Sequence, residues 1–89
     1  MRGIVTVIGK DHKGIIASVS SFMAASEINI LDISQTILQG NFTMIMLVDL
    51  QAVKISFSQL SDKLAAKGKT IGTQIQIQRE EVFNAMHNI

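Results

Sequence analysis

Five β-branched residues stand in a row near the start of the chain, Ile4-Val5-Thr6-Val7-Ile8, between Gly3 and Gly9. A run apolar at nearly every position predicts a strand buried on both faces. The polar turn Gly9 to Gly14 follows, and at Ile15 the period changes. Ile15, Ile16, Val19, Phe22 and Met23 recur at helical spacing as one stripe, while Ser18, Ser21 and Ala25 face elsewhere. This helix is expected to end near Ser26-Glu27. Ile28 to Leu38 reads as a second strand whose alternation slips, Ile28 and Ile30 in one phase, Leu31 and Ile33 in the other. A bulge near Ile30-Leu31 explains the slip, and so do two buried faces.

Gln39-Gly40-Asn41 supplies a tight turn, with Gly and Asn tolerating positive φ. Phe42 to Leu50 is a third, almost unbroken apolar strand. Ser56 and Gln59 have capping-box spacing, so a helix starts there, with Phe57, Leu60 and Leu64 on its buried stripe and Gly68 at its C-terminal turn. Ile71, Thr73, Ile75 and Ile77 alternate with Gly72, Gln74, Gln76 and Gln78, the period of a strand with one polar face. Val82, Phe83 and Met86 mark a short amphipathic helix, which at under ~12 residues needs a surface to dock on.

The order strand, helix, strand, strand, helix, strand, with right-handed crossovers, predicts an α+β fold. It is the ferredoxin-like βαββαβ sandwich, an antiparallel four-stranded sheet with two helices on one face and a short C-terminal helix added. In that topology the first and third strands are central, where the two most uniformly apolar segments fall, and the alternating fourth strand lies at an edge.

Composition narrows function more than fold. At 89 residues, one domain over 1–89 is expected. A chain of this size hides only about 60–65% of its unfolded surface, so a 47% apolar content exceeds what a thin core needs and points to a partner covering some of it. There is no cysteine, which removes disulfides, thiolate metal sites and thiol nucleophiles. Eight Lys/Arg against seven Asp/Glu are scattered without runs, so neither nucleic acid nor an anionic membrane is an expected partner. No signal-peptide pattern opens the chain and no apolar run approaches ~20 residues, so a soluble, cytoplasmic protein is expected.

Several chemistries fail on residue type. Gly9 and Gly14 have Walker-loop spacing, but Ile15-Ile16 stand where Lys and Ser/Thr are required. An RNA-binding sheet needs exposed aromatics, and these strands offer only Phe42. Copper-carrying versions of the fold need paired Cys. An acylphosphatase needs an Arg in the first strand-to-helix loop, which holds Lys10 and Lys13 instead. His12 and His87 have no spaced partner and read as solvated side chains, so no metal is expected. Ser18, Ser20 and Ser21 have no base placed to activate them. Met44, Met46 and Met86 read as core or interface filler.

Two segments remain, Asp11-His12-Lys13-Gly14-Ile15-Ile16 and Glu27-Ile28-Asn29-Ile30. An Asp-x-x-Gly-aliphatic-aliphatic turn, a helix, then Asn-Ile opening the next strand resembles the ACT domains. The order of elements matches along essentially the whole chain. The family commonly has Pro where this chain has Lys13 and Gly where it has Glu27. The likeness extends to small stand-alone ACT proteins and to the ACT domains of the glycine-cleavage regulator and of formyltetrahydrofolate deformylase. It implies a non-catalytic regulatory module without a cofactor, binding an amino acid between two domains, and hence a homodimer. Carried over by position, the ligand site is Asp11, Gly14, Ile15 and Asn29.

The residues suit a zwitterion. Free N–H groups at a helix start favour a carboxylate, and glycine lets it approach the backbone. Asp11 can accept from an ammonium group, and Asn29 can donate and accept. A plainer reading stays open, in which Gly14 only turns the chain, Asp11 caps the helix and Asn29 satisfies local backbone. Three function classes follow: a ligand-binding regulatory homodimer, a ligand-free interaction subunit, and a small enzyme of acylphosphatase type. For the dimer, two arrangements are possible: strands joined edge to edge, or sheet faces stacked with the C-terminal helix lending Phe83 and Met86.

Overall fold

The computed structural model describes residues 1–87, with side chains through Met86. The elements are β1 (Arg2–Lys10), α1 (Ile15–Ala25), β2 (Asn29–Leu38), β3 (Asn41–Asp49), α2 (Phe57–Ile71), β4 (Thr73–Arg79) and α3 (Glu80–His87). The four strands form one antiparallel sheet in the order β2-β3-β1-β4. Both apolar strands are therefore central and the Gln-rich strand is at an edge, as their patterning predicts.

One face of the sheet carries the core. Val5, Val7, Met44, Met46, Val48, Ile75 and Ile77 are buried there against Ile15, Val19 and Met23 of α1 and Leu60 and Leu64 of α2. The expected burial of β1 on both faces occurs only at its Ile4 end, which α3 covers. Ile8, on the opposite face, is 47% exposed, because both long helices lie on one side and none of the described residues reaches over that far end. Around Ile8, the register brings Ile4, Thr6, Thr43, Ile45 and Leu47 to the same open face. Gln74, Gln76 and Gln78 flank them on β4, and Ser34 and Thr36 on β2. The short α3 docks on this face. The Gln78 side chain donates to the sulfur of Met86 at 3.5 Å, and Ile4 beneath is only 8% exposed. At the same end the Arg2 guanidinium donates to Glu80, which holds the guanidinium more firmly charged than usual.

The pairing of β2 with β3 slips between Ile30 and Asp32, so Leu31 is the bulged residue. Of the two explanations for the broken alternation the bulge holds, since every β2 residue from Leu31 onward is exposed. In the hairpin turn the positive φ values belong to Gln39 (53°) and Gly40 (78°) rather than to Asn41, which already pairs with Lys10 as part of β3.

Ser56 caps α2 as expected, its hydroxyl accepting from the Gln59 amide while the Gln59 side chain accepts from the Ser56 amide. The helix does not stop at Gly68. It continues to Ile71, and Gly72 takes the left-handed terminal position at φ 75°. Gly68 has a different use: a Cβ there would lie 2.8 Å from the Thr73 carbonyl, so the missing side chain lets α2 approach β4. The reading of His87 falls outside the described side chains. Among the described residues no helix is long and apolar enough to cross a membrane.

Candidate functional site

The β1-to-α1 turn is built from residues that leave backbone donors exposed. Gly14 precedes α1 at φ 88°, in the left-handed region that glycine enters without penalty. The first intrahelical bond runs from the Ser18 amide to the Gly14 carbonyl at 2.9 Å. The amides of Ile15, Ile16 and Ala17 come before it, and no side chain caps the helix. Asp11 therefore does not act as an N-cap. Its amide donates to the Gly40 carbonyl at 2.8 Å, tying the turn to the β2-β3 hairpin, and its carboxylate is exposed. A Cβ on Gly14 would meet nothing within 4 Å, so space is open beside the helix start.

That space is a groove of about 430 Å³ lined by Asp11, His12, Gly14 to Ala17, Ile37 and Phe42. Ligand pockets span roughly 300–1,000 Å³, and this one falls at the small end. Its polar lining comes from Asp11, His12 and the free amides of α1, and the side chains of Ile15, Ile16, Ala17, Ile37 and Phe42 make the rest of the wall apolar.

His12 lies on the rim and is exposed, but it is more than a solvated loop residue. Its Nε2 is 2.8 Å from the carbonyl of Ile71, the last residue of α2, and its Nδ1 is 3.1 Å from the Lys13 carbonyl. A neutral ring donates to only one of these at a time. The ring thus links the turn to the end of α2, a partner 59 residues away that local pattern does not reveal.

Of the residues carried over by position, Asp11, Gly14 and Ile15 come together and Asn29 does not. Lys10 and Leu38 both pair with Asn41, whereas Asn29 pairs with Asp49, opposite Arg2. Asn29 therefore lies at the other end of the sheet, roughly 30 Å from the turn at about 3.3 Å per strand residue. Ile16, Ile37, Phe42 and His12 line the groove without having been singled out. Phe42 could have been found, since its place after the hairpin puts it opposite Gly9 in the register.

Beside the groove, apolar side chains continue onto the sheet edge. Ile16, Ile33 and Ile37 are 42%, 45% and 56% exposed, and the register sets Ile33 and Ile37 on the helix-bearing side of β2. Among the described residues no cluster of His, Asp or Glu is arranged to hold a metal ion.

Comparison with known proteins gives a consistent picture. The ACT domain family model matches residues 3–78. A UPF0237 protein of Clostridium acetobutylicum is 55% identical over 89 residues, the whole length of both chains. Among solved structures, an ACT domain protein from Streptococcus pneumoniae is 43% identical with a TM-score of 0.84, covering 97% of each chain. A formyltetrahydrofolate deformylase from Pseudomonas putida has a TM-score of 0.75 at 12% identity, over 88% of this chain and 28% of that one, which is a likeness of fold.

Proposed function

This chain belongs to the ACT domain family, and from that premise we propose that it is a non-catalytic regulatory module that binds an amino acid in the Gly14 groove, closed by a second copy of itself. The observation that carries the reading is that uncapped α1 amides and a carboxylate, Asp11, line the same small groove. The amides and the helix dipole suit the ligand's carboxylate, and Asp11 suits its ammonium group. The apolar wall of Ile15, Ile16 and Ile37 favours a small aliphatic side chain.

The second copy enters because the groove is open toward β2. Ten residues long, β2 is an edge strand with one charged side chain, Asp32, and edges so lightly guarded tend to pair. An antiparallel two-fold pairing centred on Ser34, with the Leu31 bulge left out of the ladder, would set the partner's Asn29 opposite Leu38 and its Ile30 opposite Ile37, at the end of the sheet where this chain's groove lies. The Asn29 that is remote within one chain would then complete the site across the interface.

Titration with a panel of amino acids, followed by calorimetry, tests the reading. Binding of one or a few aliphatic members is expected, and it should disappear in Gly14→Val. If no amino acid binds at millimolar concentration, the ligand-free interaction subunit becomes the better account. That alternative rests on the structural use of Asp11, whose amide anchors the turn to Gly40. Acyl phosphate hydrolysis, which the fold could host, should show no turnover above buffer. Turnover lost on changing Lys10 or Lys13 would overturn the non-catalytic reading.

A further inference from the structure

Two long-range contacts hold the turn that brings the groove its polar lining. The Asp11 amide donates to the Gly40 carbonyl at 2.8 Å, and Nε2 of His12 lies 2.8 Å from the carbonyl of Ile71. The stretch from His12 to Gly14 belongs to neither β1 nor α1. With the Gly40 contact alone it could pivot about one point. The Ile71 contact lies on a different element, α2, so the two together set the tilt of the turn as well as its position. The acceptor suits the task. Ile71 is the last residue of α2, so its carbonyl has no partner within the helix and sits at the negative end of the helix dipole.

The ring's second contact is the weaker one. Nδ1 is 3.1 Å from the Lys13 carbonyl, and a neutral imidazole carries one N–H, which the shorter contact assigns to Nε2. A bond to Lys13, the next residue, would fix the ring but tie the turn to nothing. Taking the groove as the amino-acid site proposed above, we infer that His12 is a positioning residue for it. The ring lines the groove, and it acts by fastening the turn to the end of α2. The Asp11 carboxylate and the amides of Ile15, Ile16 and Ala17 are thereby held apart at one separation before a ligand arrives, which spares the ligand the cost of ordering them.

Amide substitutions separate the two ring contacts. The glutamine amide nitrogen is as many bonds from Cα as Nε2, and the asparagine amide nitrogen as many as Nδ1. NMR of the ligand-free protein reads the first consequence. Backbone order parameters from His12 to Ile16 should be near the rigid value of about 0.85 in the parent, fall toward about 0.6 in His12→Ala and His12→Asn, and return in His12→Gln. The Gly72 amide shares a peptide group with the Ile71 carbonyl, so its resonance should shift in the same two variants and stay in place in the third. Calorimetric titration with L-valine reads the second consequence. Affinity should be about two- to tenfold weaker in His12→Ala and His12→Asn, and parental in His12→Gln. Parental order parameters in His12→Ala overturn the proposal, as does asparagine restoring the turn as well as glutamine. Variants that melt earlier yet bind valine as the parent does also overturn it, since the ring would then serve stability alone. A parent that binds no valine counts against the aliphatic amino-acid reading of the groove, while the order parameters still decide whether His12 fixes the turn.

Discussion

At Gly14 a backbone requirement and a ligand requirement coincide, and two substitutions separate them. Any L-residue at φ 88° is strained by about 1–2 kcal/mol, so Gly14→Ala and Gly14→Val should both lower stability in denaturant melts. Only valine also extends into the space beside the helix start. Ligand binding should therefore weaken modestly in Gly14→Ala and be lost in Gly14→Val, and equal loss in both would assign the effect to the turn alone. His12 was expected to be dispensable. Because its ring reaches the Ile71 carbonyl, His12→Ala should instead cost about 0.5–1.5 kcal/mol, read from the shift in the denaturation midpoint. The local part of the site, Asp11 to Ile15, was legible because it is a contiguous turn. The tie from His12 was not, since nothing in a loop's own sequence names a helix end 59 residues on.

Among the elements, α2 departs most from its sequence pattern, at Gly68. A glycine late in a helical stripe resembles a terminator, and the information that it is instead a packing point lies in β4. Alanine there gains about 1 kcal/mol of helix propensity. It also sets a methyl group 2.8 Å from the backbone oxygen of Thr73, an overlap of the kind that costs about 1–3 kcal/mol. Gly68→Ala should therefore be net destabilising by about 1 kcal/mol, and a more stable variant would mean that α2 and β4 separate easily. Element order, strand order and the slip near Ile30-Leu31 were readable because each is a local period or its interruption. The sequence left a bulge and a second buried face equally able to explain that slip, and the register decides for the bulge. The faces of β1 were not. A continuous apolar run is the same sequence whether its second face is covered by the chain itself, by a helix that covers half, or by another molecule. The exposed Ile8 and Ile45 mark where the covering provided by α3 stops.

For the whole molecule, the separation of Asn29 from the Gly14 turn makes a demand that no single chain can meet. If both contribute to one ligand site, each site draws its turn from one copy and its asparagine from the other. Asn29→Ala should then weaken binding by about 0.5–1.5 kcal/mol for a neutral contact, or ~1.5–3 for a charged one. That is a few-fold to roughly a hundredfold in affinity. Mixing supplies the sharper measurement. A Gly14→Val copy paired with an Asn29→Ala copy has one site carrying both changes and one carrying neither. Co-refolded mixtures, in which about half the pairs are hybrids by random assortment, should regain binding at parental affinity with about a quarter of the parental capacity. Neither variant alone should contain any site of parental affinity. Were the whole site within one chain, every copy in the mixture would carry a defect and no parental-affinity fraction would appear in the calorimetric titration. Recovery of that fraction should also be lost in hybrids carrying Ile37→Lys, because in the proposed pairing it is the β2 edge that brings the partner's Asn29 to the groove.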